Sequence, residues 1–173
     1  KLGTTSMESK VKINNLEIIA KNINFGWSPL MLECNDNCQI EDSTWVGNSE
    51  KITVKEENTY EIFNLNAESK KGWLGVEEKV SIETKRLVSK ESLWEMETPK
   101  LNHPHWTIEG LLGKMREDSS QITITGKVSI KNTKEKRNAF GERWSWSKDK
   151  NTTTLEGYPR ILGEKDELLA EKL

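Results

Sequence analysis

Two-residue alternation limits the fold of this chain more than any other feature. In Gln121-Ile122-Thr123-Ile124-Thr125-Gly126-Lys127-Val128-Ser129-Ile130, the residues Ile122, Ile124, Val128 and Ile130 fall on one side and mostly polar residues on the other. That is the pattern of an antiparallel strand buried on one face. The same period runs through Val76-Glu78-Val80-Ile82, through Ile52-Val54 and through Glu61-Phe63-Leu65. Glu56-Glu57-Asn58 separates the last two and predicts a hairpin there. Residues 16–21 read as a strand, because Asn14-Asn15 and Asn22-Ile23-Asn24 bracket them with poor helix formers. The competing reading is a helix with Leu16, Ile19, Ala20 and Ile23 on one stripe.

Turn-forming clusters recur at short intervals: Asn22 to Gly26, Asn35 to Asn37, Gly47 to Ser49, Lys70 to Gly72, Pro99 to Pro104, Asp118 to Ser120 and Asn132 to Asn138. Many half-apolar strands at such spacing predict an all-β, antiparallel β-sandwich, since each strand must find a second layer to cover it. In the tail, Leu162, Leu169 and Leu173 recur at spacings of seven and four, which predicts a short C-terminal amphipathic helix. Residues 1–6 precede the first Met, lack the apolar core of a secretory signal, and read as a flexible arm or vector-derived scar. Residues 7–173 read as one β-sandwich domain, with no linker or repeat to divide it.

The 26 basic and 28 acidic residues nearly cancel, which argues against a nucleic-acid partner held by bulk charge. No run of eighteen apolar residues predicts a membrane-spanning helix. The sequence contains no nucleophile elbow, phosphate-binding glycine loop or zinc-protease helix, so neither a catalytic residue nor a cofactor is assigned. Cys34 and Cys38 lie four positions apart in an Asn/Asp-rich stretch. Free thiols are the first reading; a local disulfide forms only if the stretch curls, and zinc lacks two ligands. His103 and His105 flank Pro104, which fixes an extended or turn backbone; no carboxylate with ligand spacing stands beside them, so no metal is assigned. A hydrolase would need a pocket that brings one of these histidines against a Glu. Asn151-Thr152-Thr153 fits the N-glycosylation acceptor pattern, which an Asn-rich chain also meets by chance.

Seven tryptophans against two tyrosines and three phenylalanines are the least ordinary count. Most are expected to fill the core. Trp73 follows Lys70-Lys71-Gly72, Trp106 follows the His-Pro-His loop, and Trp144 and Trp146 alternate between Arg143 and Lys148. Indoles beside cations suit a bilayer headgroup or a sugar platform.

The order of features resembles the aegerolysins and, more distantly, the actinoporin-like cytolysins. It runs from Leu16-Glu17-Ile18-Ile19-Ala20-Lys21-Asn22 through Trp45-Val46-Gly47, Ile52 to Val54 and Glu61-Ile62-Phe63. Gly72-Trp73-Leu74-Gly75-Val76-Glu77-Glu78 and Trp94-Glu95-Met96-Glu97-Thr98-Pro99 then lead to an aromatic loop. The resemblance spans about residues 16 to 130. Glu78 stands where the aegerolysins prefer a second Gly, and their Cys-Pro-Trp element is missing. The resemblance implies a non-enzymatic β-sandwich that binds membrane lipid headgroups, forms pores alone or with a larger partner protein, and assembles on membranes. The expected contact residues are Trp73, His103, His105, Trp106, Arg143, Trp144 and Trp146. The alternative is a lectin-like or protein-interaction sandwich that uses the same aromatics as stacking platforms.

Overall fold

Alternating residues do become strands along nearly the whole chain. A computed structural model describes residues 3–4, 9–13, 16–27, 30–55, 59–163 and 167–169, with side chains at all of them except 3, 4, 27 and 30. Seventeen strands occur among these: β1 (Gly3–Thr4), β2 (Ser9–Ile13), β3 (Leu16–Ala20), β4 (Ile23–Trp27), β5 (Leu30–Glu41), β6 (Trp45–Val54), β7 (Tyr60–Ser69), β8 (Ser81–Lys90), β9 (Leu93–Glu97), β10 (Lys100–His103), β11 (Trp106–Glu109), β12 (Leu112–Arg116), β13 (Gln121–Asn132), β14 (Arg137–Ser147), β15 (Thr152–Glu156), β16 (Arg160–Leu162) and β17 (Glu167–Leu169). Every pairing is antiparallel, and the strands join into one continuous sheet. The expected hairpin pairs Val54 with Tyr60; its turn, Glu56 to Asn58, lies outside the described residues.

The sheet is divided lengthwise into two halves. The first half of β5 pairs with β4 and its second half with β3. Along β8 the neighbours are β10 and then β9; along β13, β12 and then β11; along β14, β16 and then β15. Buried alternation changes phase where the halves meet. In β6 it passes from Trp45, Gly47 and Ser49 to Ile52 and Val54. In β7 it passes from Tyr60 and Ile62 to Leu65, Ala67 and Ser69. In β8 it passes from Ile82 and Thr84 to Leu87 and Ser89. In β7 the switch falls at Asn64, in the left-handed region with φ 51°; β13 instead carries a bulge at Gly126 and Lys127, with φ 80° and 53°, where it passes between the halves. A left-handed residue or bulge re-aims the side chains that follow and bends the strand.

This corrects three sequence expectations. Glu61, Phe63 and Leu65 do not share the buried face, because the phase switches at Asn64 and the inward residues before it are Tyr60 and Ile62. Val76 to Val80 form a loop rather than a strand. All but Asn22 of the cluster Asn22 to Gly26 lies inside β4, and Gly47 to Ser49 lies inside β6. Gly47 serves close packing instead of a turn, since a Cβ there would come within 2.6 Å of the Ala67 Cα.

Among the described residues the expected C-terminal helix is not formed. Residues 160–162 pair with Asn138 to Phe140, and residues 167–169 pair with 160–162. The exposed edge of β14 offers unpaired backbone groups that a strand satisfies, whereas a helix this short is marginal in water. Leu173 lies outside the described residues.

Cys34 and Cys38 form a disulfide with a Cα–Cα distance of 6.2 Å. On a straight strand, positions four apart lie about 13 Å apart. Asp36 and Asn37 close that gap by taking left-handed backbone, φ 61° and 54°, within a bulge of β5. Asn and Asp tolerate that conformation. Closing so short a loop is worth about 2 kcal/mol, so Cys34→Ala with Cys38→Ala is expected to lower the thermal midpoint by about 5 °C, as calorimetry would read.

Tyr60 sits in the core with no hydrogen bond of acceptable geometry to its hydroxyl. Burial, countered in part by the nearby Ser89 and Trp94, pushes the phenol up to about 12. A phenol raised in the folded state stabilises fully below its ordinary value near 10, and that contribution is lost as pH climbs through 12. The expected loss is on the order of 2 to 3 kcal/mol. Urea midpoints measured from pH 9 to 12 should show it, and Tyr60→Phe should lack that step.

Candidate functional site

The turns at one end of the sheet gather three tryptophans around one serine. Asp42 Oδ1 accepts the N–H groups of Thr44 and Trp45, both at 2.6 Å, and so closes the β5–β6 turn and sets Trp45 at the start of β6. The Lys70 N–H donates to the Thr44 carbonyl at 2.7 Å, which lays the loop after β7 against that turn. This loop carries Trp73 inward. From the other half of the sheet come the β12–β13 turn with Asp118 and Ser119, and the end of β14 with Trp146.

The indole N–H of Trp45 donates to Ser119 Oγ at 3.0 Å, and that of Trp73 donates to the Ser119 carbonyl at 2.9 Å. Trp45 and Trp73 meet edge to face with centroids 4.8 Å apart, and Trp73 meets Trp146 at 6.1 Å. All three rings are buried. They fix the two halves of the sheet against each other, and Trp73 and Trp146 form the floor of a cleft of about 360 Å³. Its rim includes Thr44, Lys71, Gly75, Asp118, Lys148 and Asn151. A neighbouring cavity of about 480 Å³ shares Ser43, Thr44 and Asp118.

The rim charges are arranged unequally. Asp118 accepts the hydroxyl and N–H of Ser120, which hold its carboxyl below the usual range, and Arg116 approaches it at 3.6 Å. Lys70 is bound to Glu41 at 2.6 Å and lowers the pKa of that carboxyl. Lys71 and Lys148 form no ion pair among the described residues.

Of the expected contact residues, Trp73 and Trp146 meet at this cleft. Trp144 is on the same side of β14 as Trp146 but deeper, buried in the core. Arg143 is exposed, so alternation sets its side chain across the sheet from the indoles. His103, His105 and Trp106 form a separate cluster at the β10–β11 turn. The His103 ring stacks on Trp106 at 4.9 Å, and its Nδ1 accepts the His105 N–H at 3.2 Å. His103 Nε2 lies 3.4 Å from Glu78 Oε2. The histidine-carboxylate contact a hydrolase would need is therefore present, with His103 packed to 3% exposure beneath Glu78. Neither residue lines any of the four cavities described around the sheet.

Sequence reasoning missed Trp45, Ser119, Lys71 and Thr44 as site residues. Trp45 and Ser119 are 74 positions apart, and no local pattern announces their contact. A signal was present for Lys71 alone, through its place beside Trp73. Away from the cleft, an apolar groove of about 590 Å³ runs past Val128, Phe140 and Leu169, with Tyr158 standing 87% exposed at its margin.

These features define an antiparallel β protein with a ligand-sized, indole-floored cleft at one end. No protein-family model and no curated protein sequence matches the chain.

Proposed function

We propose that the bent sheet works as a β-sandwich that binds, without catalysis, a phosphate-bearing lipid headgroup at a membrane surface, and that the end cleft is where the headgroup sits. The observation that supports this is the pairing of a tryptophan floor with two lysines, Lys71 and Lys148, that form no ion pair among the described residues. A phosphate would meet the lysines, the apolar part of the headgroup would lie over the Trp73 and Trp146 edges, and the hydroxyls of Ser43 and Thr44 would serve its polar atoms. The pore-forming step implied by the resemblance is not part of this reading.

Vesicle co-sedimentation tests it. The chain is expected to sediment with vesicles of phosphatidylcholine containing phosphatidylserine. Lys71→Ala with Lys148→Ala should weaken retention about 30-fold, taking about 1 kcal/mol per lysine near an anionic surface. His103→Ala with His105→Ala, outside the cleft, should leave retention unchanged. Tryptophan emission is a poor readout, because the cleft indoles are buried before any ligand arrives. No retention on any vesicle, together with saccharide-specific signals on a glycan array, would transfer the cleft to sugars, which its hydroxyls, Asp118 and Asn151 also suit.

A further inference from the structure

The acceptor motif at residues 151–153 acquires a meaning from its place in the fold. Of the asparagines in the chain, Asn151 alone is followed two positions later by Ser or Thr. Asn151 ends the turn between β14 and β15, with its N–H on the Lys148 carbonyl at 3.1 Å and left-handed backbone at φ 45°. Asn151, Thr152 and Thr153 are all exposed. The Asn151 Oδ1 lies 3.3 Å from the point a Cβ on Gly75 would occupy, which sets the carboxamide at the cleft mouth across from the Trp73 loop. A second observation is independent of the motif: the Cys34–Cys38 pair is oxidised and buried, and disulfides persist in the same oxidising lumen in which N-glycans are added.

We propose that Asn151 is an N-glycan acceptor and that the glycan, while attached, closes the cleft and so holds off the headgroup binding proposed above, the one consequence that rests on that reading. In the transfer, Nδ2 of Asn151 forms a bond to the anomeric carbon of a lipid-pyrophosphate-linked oligosaccharide supplied by a membrane oligosaccharyltransferase. The bond from that carbon to the pyrophosphate oxygen breaks, the lipid pyrophosphate leaves, and one Nδ2 proton passes to solvent. A branched sugar rooted at this rim position covers Lys71 and Lys148, which line the same opening.

The full chain, secreted through the endoplasmic reticulum of a eukaryotic host, decides the first half. Its intact mass should include an oligosaccharide that peptide-N-glycosidase removes, and Asn151→Gln and Thr153→Ala should each abolish it. A secreted chain of unmodified mass overturns the proposal. The second half is read by lysine acylation, which needs no ligand. Labelling of Lys71 and Lys148 should fall at least fivefold in the glycosylated chain relative to the enzymatically deglycosylated one, with Lys134 in the β13–β14 turn unchanged. Equal labelling of the two forms overturns the closure.

Discussion

Replacing Trp45 with alanine is expected to cost about 3 to 5 kcal/mol, the range for removing a large buried aromatic. Trp45 is 2% exposed and touches both halves of the sheet through Trp73 and Ser119. Its loss opens a cavity where the halves meet, and it leaves the Ser119 hydroxyl without its indole donor. Set against a total stability of about 5 to 15 kcal/mol, this is a large fraction. Trp45→Phe separates the two contributions: it keeps most of the volume and removes the hydrogen bond, so about 1 to 2 kcal/mol should be lost. Urea unfolding of both variants checks the order. Equal, small losses would show that Trp45 does not join the two halves.

The second large effect is expected at Gly47. A side chain there meets the Asn66 carbonyl oxygen at 2.5 Å and the Ala67 Cα and Cβ at 2.6 Å. Two of those atoms belong to the backbone of the paired strand β7, so a rotamer change cannot relieve the overlap. Gly47→Val should therefore cost about 3 kcal/mol or more, the upper end for overpacking. Gly47→Ala should cost less, and adding Ala67→Gly should recover only part of it, because the backbone contacts remain. Full recovery in the double variant would place the whole clash on the Ala67 methyl.

The strand content was legible because alternation is local. In residues 121–130 the register with β14 shifts at the bulge, yet Ile122, Ile124 and Val128 stay buried, so the pattern survives. In β7 it does not. There Asn64 turns left-handed and the phase changes, which makes Glu61-Phe63-Leu65 look like one face when it is not. The disulfide was conditional on a curl that only Asp36 and Asn37, side by side in left-handed backbone, provide. The tail misled for a different reason: the leucine spacing fits a helix, but the free edge of β14 competes for the same backbone, and that edge is built by residues far away in sequence.

The site was half legible for a similar reason. Trp73 and Trp146 stood out through their cationic neighbours, and they do meet. What holds Trp73 in place is Ser119, whose carbonyl accepts its indole N–H while its hydroxyl accepts that of Trp45, and a serine in a turn carries no such mark. Conversely, Arg143 and Trp144 are adjacent in sequence but lie on opposite faces of β14, because neighbours on a strand always do.

The most direct measurement is a titration of the ¹⁵N-labelled chain with short-chain phosphatidylserine below its micellar concentration, following the indole N–H resonances. A headgroup seated over the cleft floor predicts saturable shifts at Trp73 and Trp146, with Trp94 and Trp144 unmoved. Static Trp73 and Trp146 signals, or shifts confined to Trp106 beside the histidines, would contradict it.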